Sequence, residues 1–414
     1  MTVKLEINSE QVLSEIEDLA AISDAEAPAV TRVVFSTADM RARAWLKELC
    51  EAIGLVVRHD AIGNTFARWV GSDSKAPAVG TGSHIDAIPN AGKYDGVVGV
   101  LGGLEAIRAL KRGGFRPTNS IELLVFTSEE PTRFGIGCLG SRLLSGTLAA
   151  EAAKKLMDKD GESVDAVRRK AGMRGELHDV RLPGSYYKAF VELHIEQGPV
   201  LEREQIPLGI VTKIAAPASA RITVEGAGGH AGGVLMPDRR DALCAAAELI
   251  LAIEHAARTS GSGDTVATVG MCDVFPGAVN SIPSRVRLSL DVRDTDLIRR
   301  DSVMRTAEEA AHKIAAGRGV SIEIELLNAD APGNCAHEVV ESLATACETH
   351  RLKFTRMISR AYHDSLFMSR IAPTAMLFIP CFKGYSHRPD EYASIEDISR
   401  GTLVLAETLA SLSA

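Results

Sequence analysis

The chain has 414 residues, a formal net charge of −8, 46% hydrophobic content and 24% charged content. That length allows two domains and a large core, and the composition is that of a globular protein rather than a fibrous or disordered one. The acidic balance argues against nucleic acid or an anionic membrane as the main partner, and no apolar run is long enough to span a bilayer.

The first twenty residues, MTVKLEINSEQVLSEIEDLA, are amphipathic and acidic, without the basic-then-apolar layout of a signal peptide. Seven scattered cysteines form no CxxC pair, so a reducing, cytoplasmic setting is expected. From about residue 77 a strand–loop–helix rhythm begins. Residues 78–83 predict a buried strand ending at His84, and Val97, Val100, Leu101, Leu104 and Ile107 then recur at helical spacing. IELLVF at 121–126 predicts a second strand, which runs straight into TSEEPTRF. A third at 189–193 leads to His194 in ELHIEQGP, and a fourth at 375–379 leads to PCFKGYSH and His387. The polar segment 148–180 carries helical signals and nothing that suggests chemistry.

Between these stretches the rhythm changes. ARITVEG alternates like a half-buried strand, 238–257 predicts a helix, and DTVATVGMCDVF and RVRLSLDVR predict two strands. A second helix at 296–316 and a strand in VSIEIELL complete a β-α-β-β-α-β order, that of a ferredoxin-like sandwich. The reading is an α/β protein in two domains, a larger discontinuous one at 1–214 and 331–414 and a smaller inserted one at 215–330.

Ligands of open α/β sheets sit outside the carboxyl ends of the strands, and all four strands deliver His, Asp or Glu there. His84, Asp95, Glu130, His194 and His387 suit two divalent ions such as Zn²⁺ or Mn²⁺ if Asp95 bridges them. Asp86, two residues past His84, is expected to accept the other ring N–H and fix the ring. Glu129 is expected to stay off the metal and move a proton, while Glu130 binds. The plainer reading of Glu129-Glu130 is a helix N-terminus favouring negative charge. GVVGVLGG at 96–103 lacks the G-x-G-x-x-G spacing of a nucleotide site, and close helix–sheet packing explains its glycines better.

GSHIDAIPNAGKYDGVVGV, FTSEEPTRFGIGCLGSR, ELHIEQGPVLE, GGHAG, VNSIPSRVRLSLDVRD and GYSHRPDEY occur in that order. Together they resemble the amidase/hydantoinase–carbamoylase family of dinuclear metallohydrolases, from about residue 35 to the C-terminus. The resemblance implies a metalloaminopeptidase-like catalytic domain, with a mixed sheet flanked by helices, and an inserted ferredoxin-like lid and dimerisation domain. It implies two divalent ions per subunit on the five residues named above; ligand chemistry permits Mn²⁺, Zn²⁺ or Co²⁺, and the family's ureide branch suggests Mn²⁺. It also implies Glu129 as general base, Asp86 beside the ligands, and substrate contacts from Gln197, Asn280 and Arg293, with His230 presented across a homodimer interface. The implied reaction cleaves the ureido C–N bond of a small ureido acid. SEEPTRF, where related enzymes of allantoate and N-carbamoyl-L-amino acids usually read DEEGSRF, favours the ureidoglycolate branch. Tyr385 is a weaker candidate for the substrate's hydroxyl, and His363-Asp364 for orienting a ligand or flooring the pocket. A ligand-binding dimer that has lost catalysis would lack a ligand or Glu129, and none is missing.

Overall fold

The computed structural model describes residues 5–414, and the chain divides into two compact units. The first runs through Thr212 and adds Asn334–Ser359 and His363–Ala414; the second is Lys213–Gly333 with Arg360–Tyr362. That three-residue return was not expected from the sequence. It is fixed by polar side chains: Arg360 pairs with Asp264, and the Tyr362 hydroxyl donates to Asp330 at 2.7 Å.

Within the first unit, four parallel strands form the middle of a mixed sheet, ordered Thr374–Ile379, Tyr187–Ile195, Ala78–His84, Ile121–Phe126. Nearly every residue in them is buried, as continuous apolar runs covered on both faces require. Antiparallel strands flank them, Gly209–Ile214 beside Thr374–Ile379 and Thr65–Trp69 beside Ile121–Phe126. Helices Val97–Arg112 and Ile395–Ser413 pack together over this sheet.

The glycines at 96–103 explain how close that packing is. A Cβ on Gly99 would lie 2.3 Å from the backbone oxygen of Leu193, so the helix rests directly on the neighbouring strand. A Cβ on Gly96, which has φ +66°, would lie 2.5 Å from the His84 ring. These positions are small for steric reasons.

The second unit has its own core. Strands Ala216–Glu225, Val266–Phe275, Arg285–Asp294 and Ser321–Ala329 form an antiparallel sheet with Ser321–Ala329 and Val266–Phe275 at its edges. Helices Ala242–Arg258 and Leu297–Arg318 cover it. Both start at an aspartate whose side chain accepts N–H groups of the first turn, Asp241 and Asp296. The order is that of a ferredoxin-like sandwich. No helix among the described residues is long and apolar enough to cross a membrane.

Candidate metal centre

The candidate ligands lie at or beyond the carboxyl ends of the central strands, where the apolar runs stop and the sheet meets its loops. His84 is the last residue of its strand and His194 the last but one of Tyr187–Ile195, and their rings lie 6.1 Å apart. Asp95 lies between them in a turn before helix Val97–Arg112. Its Oδ1 is 3.2 Å from His194 Nε2 and 3.8 Å from His84 Nε2. Its Oδ2 is 3.2 Å from His387 Nε2, and that nitrogen is 3.1 Å from Glu130 Oε1. Two groups that could hold a metal ion therefore share one residue: His84–Asp95–His194 and Asp95–Glu130–His387. Three imidazoles and two carboxylates without a thiol make a donor set fit for Zn²⁺ or Mn²⁺.

Charge is concentrated here. Hydrogen bonds from His194 and His387 hold Asp95 well below the usual carboxylate range despite its burial. In return, burial lowers His194, but the bond to Asp95, the charges of Asp95 and Glu192 and the Ile195 carbonyl together push it up to about 9, while Asp95 and Glu130 push His387 to about 11. Burial, then the carboxylates of Glu130, Asp364, Asp86 and Asp95, raise Glu129 well above its ordinary value. Such an excess of buried acid fits a site for cations.

Glu129 and Glu130 lie in an irregular loop, not at a helix N-terminus; the next helix is Leu139–Ser145. Ser128 has φ +56°, so the chain bends sharply before the pair. Glu129 Oε2 is 3.8 Å from His84 Nε2.

One expectation is corrected. The Asp86 carboxylate does not take the His84 ring N–H: it is 3.8 Å from Nδ1, whereas the Asp86 backbone oxygen is 3.0 Å away. The carboxylate instead accepts the N–H groups of Glu129 at 3.2 Å and Glu130 at 3.0 Å. Backbone geometry decided this, because the loop turns its carbonyl back onto the ring. Asp86 thus links the His84 loop to the Glu129 loop.

Gln197, at φ +53°, donates from Nε2 to Asp95 Oδ2 at 2.8 Å and to Ser386 Oγ at 3.1 Å. Sequence reasoning missed the support around it. Glu391 accepts the N–H groups of Tyr94 and Asp95 at 2.8 and 3.0 Å and meets Ser386 Oγ at 3.0 Å. Its only signal was its place four residues after His387 in SHRPDEY. His387 also has a left-handed backbone, φ +61°, and is half-exposed. The Arg388 guanidinium stacks 3.8 Å from the Tyr385 ring. The His363 ring packs 4.6 Å from that of His194, and the Asp364 carboxylate hydrogen-bonds Ser141.

His230, Asn280 and Arg293 belong to the second unit. Gly229–His230 pairs with Ser281–Ile282, and Ala231 N–H donates to the Asn280 backbone oxygen at 2.9 Å, which brings the first two together. Arg293 is separate from them and already paired, with Nε 2.7 Å from Asp291 Oδ1 on the same face of its strand.

The profile of peptidase family M20/M25/M40 matches residues 80–411. The chain belongs to the M20/M25/M40 family. Ureidoglycolate hydrolase of Oryza sativa subsp. japonica is 52% identical over 98% of this chain and 85% of its own length. Ureidoglycolate hydrolase of Arabidopsis thaliana is 51% identical over 99% and 87%. A crystal structure of AtUAH in complex with (S)-hydroxyglycine superposes with a TM-score of 0.91 at 50% identity, over 99% of this chain and 98% of that one. The M20/M25/M40 match covers all the candidate ligands, from His84 to His387.

Proposed function

We propose that the protein is a metal-dependent amidohydrolase that cleaves (S)-ureidoglycolate to glyoxylate, ammonia and carbon dioxide. The observation that carries the reading is Asp95, whose two oxygens face His194 and His387 separately, with Glu129 close by. The two ureidoglycolate hydrolases at about half identity, and the related structure holding (S)-hydroxyglycine, support the substrate.

His84 and His194 would hold one divalent ion and Glu130 and His387 the other, with Asp95 shared. Mn²⁺ is proposed, with Zn²⁺ as the other choice. Paired ions would polarise the ureido carbonyl and make water more acidic. Glu129 takes a proton from the attacking water and delivers it to the departing nitrogen. Asp86 holds Glu129 and Glu130 by their backbone N–H groups. Gln197 and Tyr385, with Asn280 and Arg293, are assigned to substrate binding; a guanidinium can grip a carboxylate through two parallel N–H bonds. His230 is assigned to oxyanion stabilisation, presented in a homodimer formed through the second unit. Exposed apolar side chains on its two edge strands, Met271, Phe275 and Leu326, suit such a contact. The exposed thiols of Cys244 and Cys272 suit a cytoplasmic location.

The test is ammonia release from a panel of ureido acids with added Mn²⁺. Ureidoglycolate is expected to turn over fastest. Faster turnover of allantoate or an N-carbamoyl-L-amino acid would overturn the substrate assignment.

A further inference from the structure

The loop that carries Glu129 is fastened to the start of helix Leu139–Ser145 by a ladder of three backbone bonds. Cys138 N–H donates to Glu129 O at 2.7 Å, Leu139 N–H to Ser128 O at 2.9 Å and Gly140 N–H to Thr127 O at 2.9 Å. From the other side Asp86 takes the Glu129 N–H. The peptide on either side of Glu129 is therefore fixed, and what remains free is its side chain.

Cys138 addresses that side chain as well. It is fully buried with φ +56°, a left-handed backbone that a non-glycine residue adopts at a cost. The bend aims Sγ at Glu129 Oε1, 3.4 Å away. Burial, reinforced by Glu129 and Asp364, pushes the thiol well above its ordinary range, so it keeps its proton and can donate. The two oxygens of Glu129 thus differ: Oε1 meets the thiol, and Oε2 faces His84.

We infer that Cys138 is a positioning residue for Glu129, anchoring Oε1 through its S–H so that Oε2 is presented to the reacting water. The inference rests on the proposed role of Glu129 as base. A thiol suits the task because it is a weak donor: it selects one rotamer while drawing little basicity from the carboxylate.

Cys138→Ala keeps the same backbone requirement and removes the donor; Cys138→Ser keeps a donor; Cys138→Gly suits the left-handed backbone and repeats the deletion if the alanine variant is unstable. The deletions are expected to lower kcat on ureidoglycolate about five- to tenfold, the worth of one modest hydrogen bond, with KM unchanged. Bound metal per subunit and thermal midpoint should stay at the parent's values, and Cys138→Ser should recover most of the loss. Parent-like kcat in the deletions, a serine variant no better than alanine, or a loss that tracks metal content would each overturn the role. Glu129→Gln separates the two claims. If it is inactive while Cys138→Ala is parent-like, only the positioning role fails; if it is active, the base assignment fails.

Discussion

Asp95 stands between His194 and His387 with one carboxylate oxygen 3.2 Å from each ring. A single short side chain thereby joins two candidate cation sites. Asp95→Asn halves its bridging capacity while keeping its shape. Elemental analysis should find two ions per subunit in the parent and a clear shortfall in the variant, with turnover down by more than about a hundredfold. Full metal content in Asp95→Asn would exclude bridging.

Glu129→Gln removes the proton acceptor and little else. Turnover should fall by about 10²- to 10⁴-fold while metal content and thermal midpoint hold. Parent-like turnover in steady-state assays would exclude this residue as the base.

Metal affinity should rise with pH. Without an ion, His194 titrates near 9 and His387 near 11, both raised by carboxylates, so at pH 7 both rings carry protons. A ligating imidazole must be neutral, so binding at pH 7 expels these protons and is weakened as pH falls. Above about 9 His194 has already lost its proton, and the dependence should become shallower. Calorimetry in buffers of different ionisation enthalpy should detect the release; binding at pH 7 without it contradicts these protonation states.

Glu391 holds the Asp95 loop by two backbone N–H groups and meets Ser386. Glu391→Ala should weaken metal binding by about ten- to a hundredfold, read by chelator competition. An unchanged affinity would show that the loop holds its shape unaided.

Gly99→Ala tests the packing beneath the site. A Cβ there would lie 2.3 Å from the Leu193 backbone oxygen, so the helix must shift. Chemical denaturation should show a loss of about 1–3 kcal/mol. A neutral effect would mean that helix Val97–Arg112 can move outward freely.

Much of this was legible in the sequence. Buried parallel strands are written as unbroken apolar runs, so IELLVF and AMLFI marked themselves, and each ran into a polar cluster. His84, Asp95, Glu130, His194 and His387 do lie together. What escaped depends on backbone direction. Whether Asp86 offers His84 its carboxylate or its carbonyl turns on two dihedral angles, and no residue pattern encodes that choice. Cys138 looked like one of several scattered cysteines because its left-handed φ, not its chemistry, points it at Glu129. Arg360–Tyr362 joins the second unit through polar contacts such as that of Tyr362 with Asp330, with no composition shift to announce it.

The ladder between Thr127–Glu129 and Cys138–Gly140 closes the chain upon itself, leaving residues 130–137, which begin with the candidate ligand Glu130, as an ear outside the rungs. Within it Phe134 is buried in the core and Arg133 pairs with Asp158, so the ear is tied down by its own side chains as well as by the rungs. Pro131 and Thr132, part of the stretch that departs from the DEEGSRF wording, fall in this ear.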